Sequence, residues 1–185
     1  LYYFNFVQTE YFKESEASAK SDVVQKLVPN ALWYFRWAAA FTFLTGLYLL
    51  YWLSITVNIG IVLGALMGTV MAANVWFVIW PNQKKVIAGA PDAADAGAKA
   101  GLASRTNTLF SLPMLYLMVF SAHGGSLPMI AATDMTGLWV GIAIIVLIEA
   151  NALFGKMNPL ITSVKAVIHS GLLLTLVFGI LVHYL

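Results

Sequence analysis

Apolar residues in this chain fall in long unbroken runs, without the alternation of a half-buried strand or the narrow stripe of a soluble helix. Five runs stand out, at 31–53, 57–80, 106–122, 135–154 and 161–185. A helix of about 20 residues covers the roughly 30 Å hydrocarbon core of a bilayer, so each run is long enough to span it. A further stretch, 1–12, would reach only about 18 Å as helix and is read as the second half of a first transmembrane helix that begins upstream of Leu1. The pattern predicts an all-α integral membrane protein: a single transmembrane domain, 1–185, built as a helical bundle of about six crossings, the first incomplete at its N-terminus. Between the runs lie a polar segment from Lys13 to Asn30, a tight turn at 54–56, a loop over 83–105 and two shorter links. From Gly89 to Gly101 that loop is small-residued and poor in anything that could pack, which predicts a mobile or weakly helical cytoplasmic segment.

Composition narrows the chemistry. The chain is 61% apolar and only 10% charged, with a mean hydropathy of +0.83, whereas soluble domains are about a quarter charged. A net charge of +2, spread between apolar runs, argues against a nucleic-acid partner. The absence of cysteine excludes disulfides, thiolate metal sites, iron–sulfur clusters and a covalent c-type haem, so any haem would be a non-covalent haem b. No nucleophile elbow, phosphate loop, dinucleotide fingerprint or zinc-binding helix is present. Catalysis, if any, is expected to be redox or proton chemistry within the membrane.

Assigning alternate loops to opposite faces puts Lys13, Lys20, Lys26, Arg36, Lys84, Lys85, Lys99, Arg105, Lys156 and Lys165 all on one face. Basic residues gather in cytoplasmic loops, so that face is expected to be cytoplasmic, with the loop 124–133 and the C-terminus on the periplasmic side of an inner membrane. Arg36, Asn74, Glu149, Asn151, Lys165 and His169, together with Asn5, then fall one to two turns inside the cytoplasmic end. Ionisable groups at that depth need partners, which predicts a buried polar layer where Glu149 meets Arg36, Lys165 or His169. Such a layer is either a satisfied structural network with Arg36 and Lys165 snorkelling, or a proton path or ligand site. His123 and His183 approach the outer face on different helices, as candidate ligands of haem b or a metal or as solvated helix ends. Gly60, Gly64 and Gly68 line one face of the third helix, and Gly137 and Gly141 one face of the fifth, a spacing that allows close helix approach within the chain or at a homo-oligomer interface. Pro113 is expected to bend the fourth helix.

The segment Gly68 to Ala88, containing Asn74-Val-Trp-Phe-Val-Ile-Trp-Pro-Asn82, resembles a hallmark stretch of the urate oxidase N-terminal membrane domain family. Arg105 to His123 is similar to the helix that follows it in that family, Leu1 to Thr9 to the end of its first helix, and 32–50, with Trp33, Arg36, Trp37 and Gly46, more loosely to its second. The resemblance implies a helical membrane domain that in full-length members precedes a c-type cytochrome, which passes electrons onward. This chain ends at the outer end of its sixth run without a cysteine, so it is expected to lack that cytochrome and to depend on another protein as acceptor. The implied function is an accessory or electron-relaying subunit of a larger inner-membrane oxidoreductase complex, with other membrane subunits and the lipid bilayer as partners. The alternatives are a stand-alone haem b redox enzyme acting like a urate oxidase, and a proton channel or transporter built around Glu149, His169 and Lys165.

Overall fold

The computed structural model describes residues 1–52, 58–123 and 135–184; the expected turn at 54–56, the expected loop 124–133 and Leu185 lie outside them. The regular elements among the described residues are all helices. Helix α1 joins a π-helical stretch, Tyr3–Gln8, to Thr9–Glu14, and α2 (Ala17–Lys26) lies almost end to end with α3 (Val28–Trp52). Then follow α4 (Ile59–Ile87), α5 (Ala93–His123), α6 (Thr136–Phe154) and α7 (Val164–Tyr184). Three of these, α4, α6 and α7, are long and apolar enough to cross a membrane.

The segment 83–105, expected to be a loop, is mostly helix. Helix α4 continues to Ile87 and α5 starts at Ala93, leaving only 88–92 as a link. The low apolarity of this stretch hides its structure, because alanine is the best helix former and needs little space. Ala96, Ala100 and Ala103 are buried, and Ala103 packs against Val75 and Ile79 of α4. Gly89, at φ +62°, makes the reversal that side-chain-bearing residues resist. A 2.6 Å ion pair between Lys85 Nζ and Asp92 Oδ2 closes the link, and this contact holds the Asp92 carboxyl below its usual range. Helices α4 and α5 have 29 and 31 residues, so at 1.5 Å per residue they reach about 44 and 46 Å. Both are longer than the roughly 30 Å hydrocarbon core requires.

The core lies among α4, α5, α6 and α7, where Ile59, Leu63 and Met67 meet Phe110, Leu117, Ile145 and Phe178. Water cannot drive helices together inside a bilayer, so close packing must do it, and small residues let the backbones approach. A Cβ added at Gly64 would lie 3.3 Å from Met118 Cγ, one at Gly68 3.5 Å from Met114 Sδ, and one at Gly141 2.7 Å from Leu63 Cδ1. Gly60 and Gly137 are buried as well. Gly64, Gly68 and Gly141 thus lie against side chains of neighbouring helices of the same chain. Pro113 interrupts none of α5, which runs through it to His123. Proline cannot donate to the carbonyl four residues back, here that of Leu109. Gly171 of α7 faces this spot, where an added Cβ would be 3.5 Å from the Leu109 oxygen and 2.9 Å from Leu112 Cδ1.

Helix α3 sits at the edge of this bundle. Only Val28 and Leu32 are buried along it, while Trp33, Tyr34, Phe41 and Tyr51 are exposed. Phe35 and Ala39 supply its apolar contact, against the Val75, Ile79 and Ala103 cluster.

Overpacking a tight helix interface costs about 1–3 kcal/mol. Gly64→Leu and Gly141→Leu should each lower the thermal unfolding midpoint in mild detergent. Gly46→Leu on α3, where nothing lies within 4 Å of the added carbon, should leave it unchanged.

Candidate functional site

Helix α5 enters the bundle on an unusually polar turn: Arg105, Thr106, Asn107 and Thr108 are all buried. Helical spacing sorts the polar side chains of this region onto two faces. Ser104, Thr108 and Ser111 share the face toward α1. There Asn5 Nδ2 donates to Ser104 Oγ at 2.8 Å, and Thr108 Oγ1 donates back to the Ser104 carbonyl. The Ser111 hydroxyl gives its proton to the Thr108 carbonyl at 2.7 Å, so the Tyr2 hydroxyl, 2.9 Å away, donates to Ser111. Polar bonds of this kind hold α1 on the bundle.

Asn107 lies on the other face, toward α4 and α6. Opposite it, α4 departs from α-helical register: Asn74–Ile79 is π-helical. The Asn74 N–H reaches the carbonyls of both Met71 and Val70 as the register shifts. Asn107 Nδ2 donates to that same Met71 carbonyl at 2.9 Å. The Asn74 amide spends both of its hydrogens, one on Asn107 Oδ1 and one on Glu149 Oε2, each at 3.0 Å. Asn74 and Asn107 are almost wholly buried and Glu149 half-buried. One short network thus links α4, α5 and α6 at the π-helical stretch, a local geometry that recurs at functional sites. Pro81 follows this stretch, where its missing N–H falls in the turn in which the register returns to α-helical.

Glu149 therefore meets the Asn74 amide, where the sequence pointed to a cation. Its expected partners are elsewhere. Lys165 and His169 are exposed on α7, and Asn151, near the end of α6, is not bonded into the cluster. The Arg36 guanidinium lies over the ring of Trp80 at 4.1 Å, with Trp76 at 5.2 Å and Trp37 at 5.5 Å. An indole face attracts a poorly hydrated guanidinium without any carboxylate. The predicted polar layer is thus several separate clusters. Amides cannot pass on a proton as a titrating group would, and beyond Glu149 this network ends on a backbone carbonyl. The arrangement suits a structural bridge better than a proton wire.

His123 and His183 stand at the same end of α5 and α7. The His183 ring packs edge-on to Phe120, with centroids 4.9 Å apart at 89°, and Phe120 stacks on Tyr116. Both imidazoles are exposed. A bis-histidine haem needs a flat apolar slot between its ligands, and here the space beside His183 is filled by Phe120. Neither residue lines the cleft beside Trp80 or the one beside Tyr2, and among the described residues no three His, Cys, Asp or Glu side chains gather as a metal would require. The residues present do not fit a haem.

Sequence reasoning missed Asn107 and the Trp76–Trp80 pair as site residues. The signal for Asn107 was a buried-length helix opening on Arg-Thr-Asn-Thr, four polar residues ahead of an apolar run. Against known families, a model described as urate oxidase N-terminal matches residues 58–181, a span that contains α4, α5 and α6, most of α7, and the whole Asn74–Asn107–Glu149 network. No curated protein and no solved structure matches the chain.

Leaving buried hydrogen-bonding groups unpaired costs about 1–3 kcal/mol. Asn74→Leu, which strands Asn107 and Glu149, should lower the unfolding midpoint by that order. Glu149→Gln keeps an acceptor for Asn74 and should change it little; equal midpoints for Asn74→Leu and the unmodified protein would remove the structural role of the network.

Proposed function

This chain belongs to the urate oxidase N-terminal family, and on that premise we propose that it is an accessory membrane subunit of a larger inner-membrane oxidoreductase complex. In this reading it holds redox partners in the bilayer, and the redox groups reside on those partners. The observation that carries it is the Asn74–Asn107–Glu149 bridge: both hydrogens of the Asn74 amide, and one hydrogen and the oxygen of the Asn107 amide, are bonded inside the bundle, so the most polar part of the matched region is engaged in holding helices together. The exposed aromatic face of α3 agrees with a subunit that has neighbours. All ten Lys and Arg fall toward one side if α1, α3 and α5 cross together with α4, α6 and α7, which supports six crossings with the basic side cytoplasmic and the C-terminus periplasmic.

A second reading is a haem b enzyme using His123 and His183, which stand at one end of adjacent helices; the Phe120 ring packed on His183 counts against it. A third is proton transport through Glu149, His169 and Lys165; among the described residues Glu149 bonds to the Asn74 amide, and His169 and Lys165 are exposed on α7.

The test is a reduced-minus-oxidised visible spectrum of the protein purified in mild detergent, with co-purifying subunits identified in the same sample. Stoichiometric partners and no b-type signal from this chain are expected. A b-type signal lost on His123→Ala or His183→Ala would replace this reading with the haem enzyme, and isolation as a lone colourless monomer would defeat both. Orientation is checked separately, because the chain has no cysteine of its own. A single cysteine at Lys99→Cys should react with a membrane-impermeant maleimide only from the cytoplasmic side, and one at Tyr184→Cys only from the periplasmic side.

A further inference from the structure

A cleft of about 400 Å³ opens between the start of α3 and the C-terminal end of α4. Its walls are Pro29, Leu32, Trp33, Trp80 and Ile87, and its two charged side chains, Arg36 and Lys84, are both cationic. The Lys84 ammonium and the Arg36 guanidinium converge on one indole, 4.2 and 4.1 Å from the Trp80 ring centre. Arg36 Nε is shielded from solvent yet has no hydrogen-bond partner. Lys13, Lys26 and Lys85 are each paired with a carboxylate, Glu10, Asp22 and Asp92 respectively; among the described residues Lys20, Lys99, Arg105, Lys156 and Lys165 are not, but it is Arg36 and Lys84 that share a cleft. Among the described residues no carboxylate reaches Arg36 or Lys84.

Two like charges drawn onto one ring, with donors left over and no acid to balance them, describe a site built for an anion. The cleft is larger than a bare phosphate needs, its apolar walls could take the start of an acyl chain, and Trp33, exposed at its rim, opens it sideways to the bilayer. Tryptophan and arginine at the ends of transmembrane helices lie at headgroup depth. We propose that this cleft binds the phosphate headgroup of an anionic phospholipid, with Arg36 and Lys84 donating to the phosphate oxygens and Trp33, Leu32 and Ile87 flanking the glycerol and upper acyl carbons. Arginine suits such oxygens through its forked donors, which cation–π contact leaves free.

The experiment is native mass spectrometry of the intact protein in mild detergent, titrated with phosphatidylglycerol, with phosphatidylcholine of the same chains, and with inorganic phosphate as competitor. Phosphatidylglycerol should bind at least tenfold more tightly than phosphatidylcholine, and millimolar phosphate should not displace it. Each basic residue near a lipid surface contributes a factor of about five, so Lys84→Gln should weaken phosphatidylglycerol about fivefold and Arg36→Gln with Lys84→Gln about thirtyfold. Lys165→Gln removes the same charge from α7 and should change nothing. Lys84 is exposed, so Lys84→Gln tests the site even where Arg36→Gln disturbs folding. Equal affinity for the two lipids, an effect of Lys165→Gln as large as that of Lys84→Gln, or full displacement by phosphate would each overturn the proposal, the last by assigning the site to a free anion.

Discussion

The amide of Asn107 reaches across from α5 to the Met71 carbonyl, at the turn where α4 gives up its α-helical register. Inside a bilayer no water is available to take up a backbone group that the register change leaves poorly paired. Each residue of an α-helix turns the chain by about 100°, so a wider turn inserted at Asn74 re-aims everything that follows it. Val75 and Ile79 then face Ala103, while Trp76 and Trp80 face α3. Had α4 kept one register throughout, its indoles would point elsewhere and Arg36 would lose the rings of Trp76 and Trp80. The edge contact of α3 and the cleft beside it thus rest on an amide bond between two other helices.

Two kinds of adhesion follow from this arrangement. Within α4 to α7 the helices approach closely enough that Gly64, Gly141 and Gly171 have little or no room for a methyl group, and the glue is contact between side chains such as Leu63 and Phe110. At the edges, α1 is held by hydroxyl and amide bonds from Tyr2 and Asn5, and α3 by rings and a guanidinium. The matched family region coincides with the first kind and leaves α1 to α3 outside it. Tight small-residue packing constrains sequence position by position, because a single added carbon is felt. A helix lying on the outside tolerates many apolar side chains, and the matched span 58–181 contains the tightly packed part.

The helical class and the three membrane-length helices α4, α6 and α7 were legible because hydropathy separates such runs from the rest, and the glycine faces because a four-residue spacing survives any helix rotation. Whether those faces turn inward or toward another copy was not legible, because spacing alone does not say what a glycine faces; Gly64 and Gly68 meet Met118 and Met114 of the same chain. The segment 83–105 was read only as a mobile or weakly helical loop for the opposite reason: hydropathy reports burial in lipid, and Ala96, Ala100 and Ala103 are buried against protein while contributing little apolar surface. The partner of Glu149 could not be read, because it depends on which way Asn74 points, and that is set by a π-helical turn with no fixed sequence signature. Depth along the helices put Arg36, Lys165 and Glu149 in one layer; only their azimuth, invisible to a depth argument, sends them to different neighbours.

Azimuth also divides the polar groups of this domain by what remains available to them. Glu149 is tied to an amide whose hydrogens are both spent, and Asn107 is tied at its oxygen and through its nitrogen, so these bonds hold helices to one another. Arg36 is stabilised differently. Indole faces compensate its charge through the ring quadrupole and make no use of its N–H groups. A carboxylate partner would have consumed those donors, whereas three tryptophans lower the cost of burying the charge and leave the donors pointing at whatever enters the cleft. The same membrane domain therefore holds one polar cluster that is closed and one that is open, and it is the choice of partner, amide against indole, that separates the group that builds the fold from the group left free to bind.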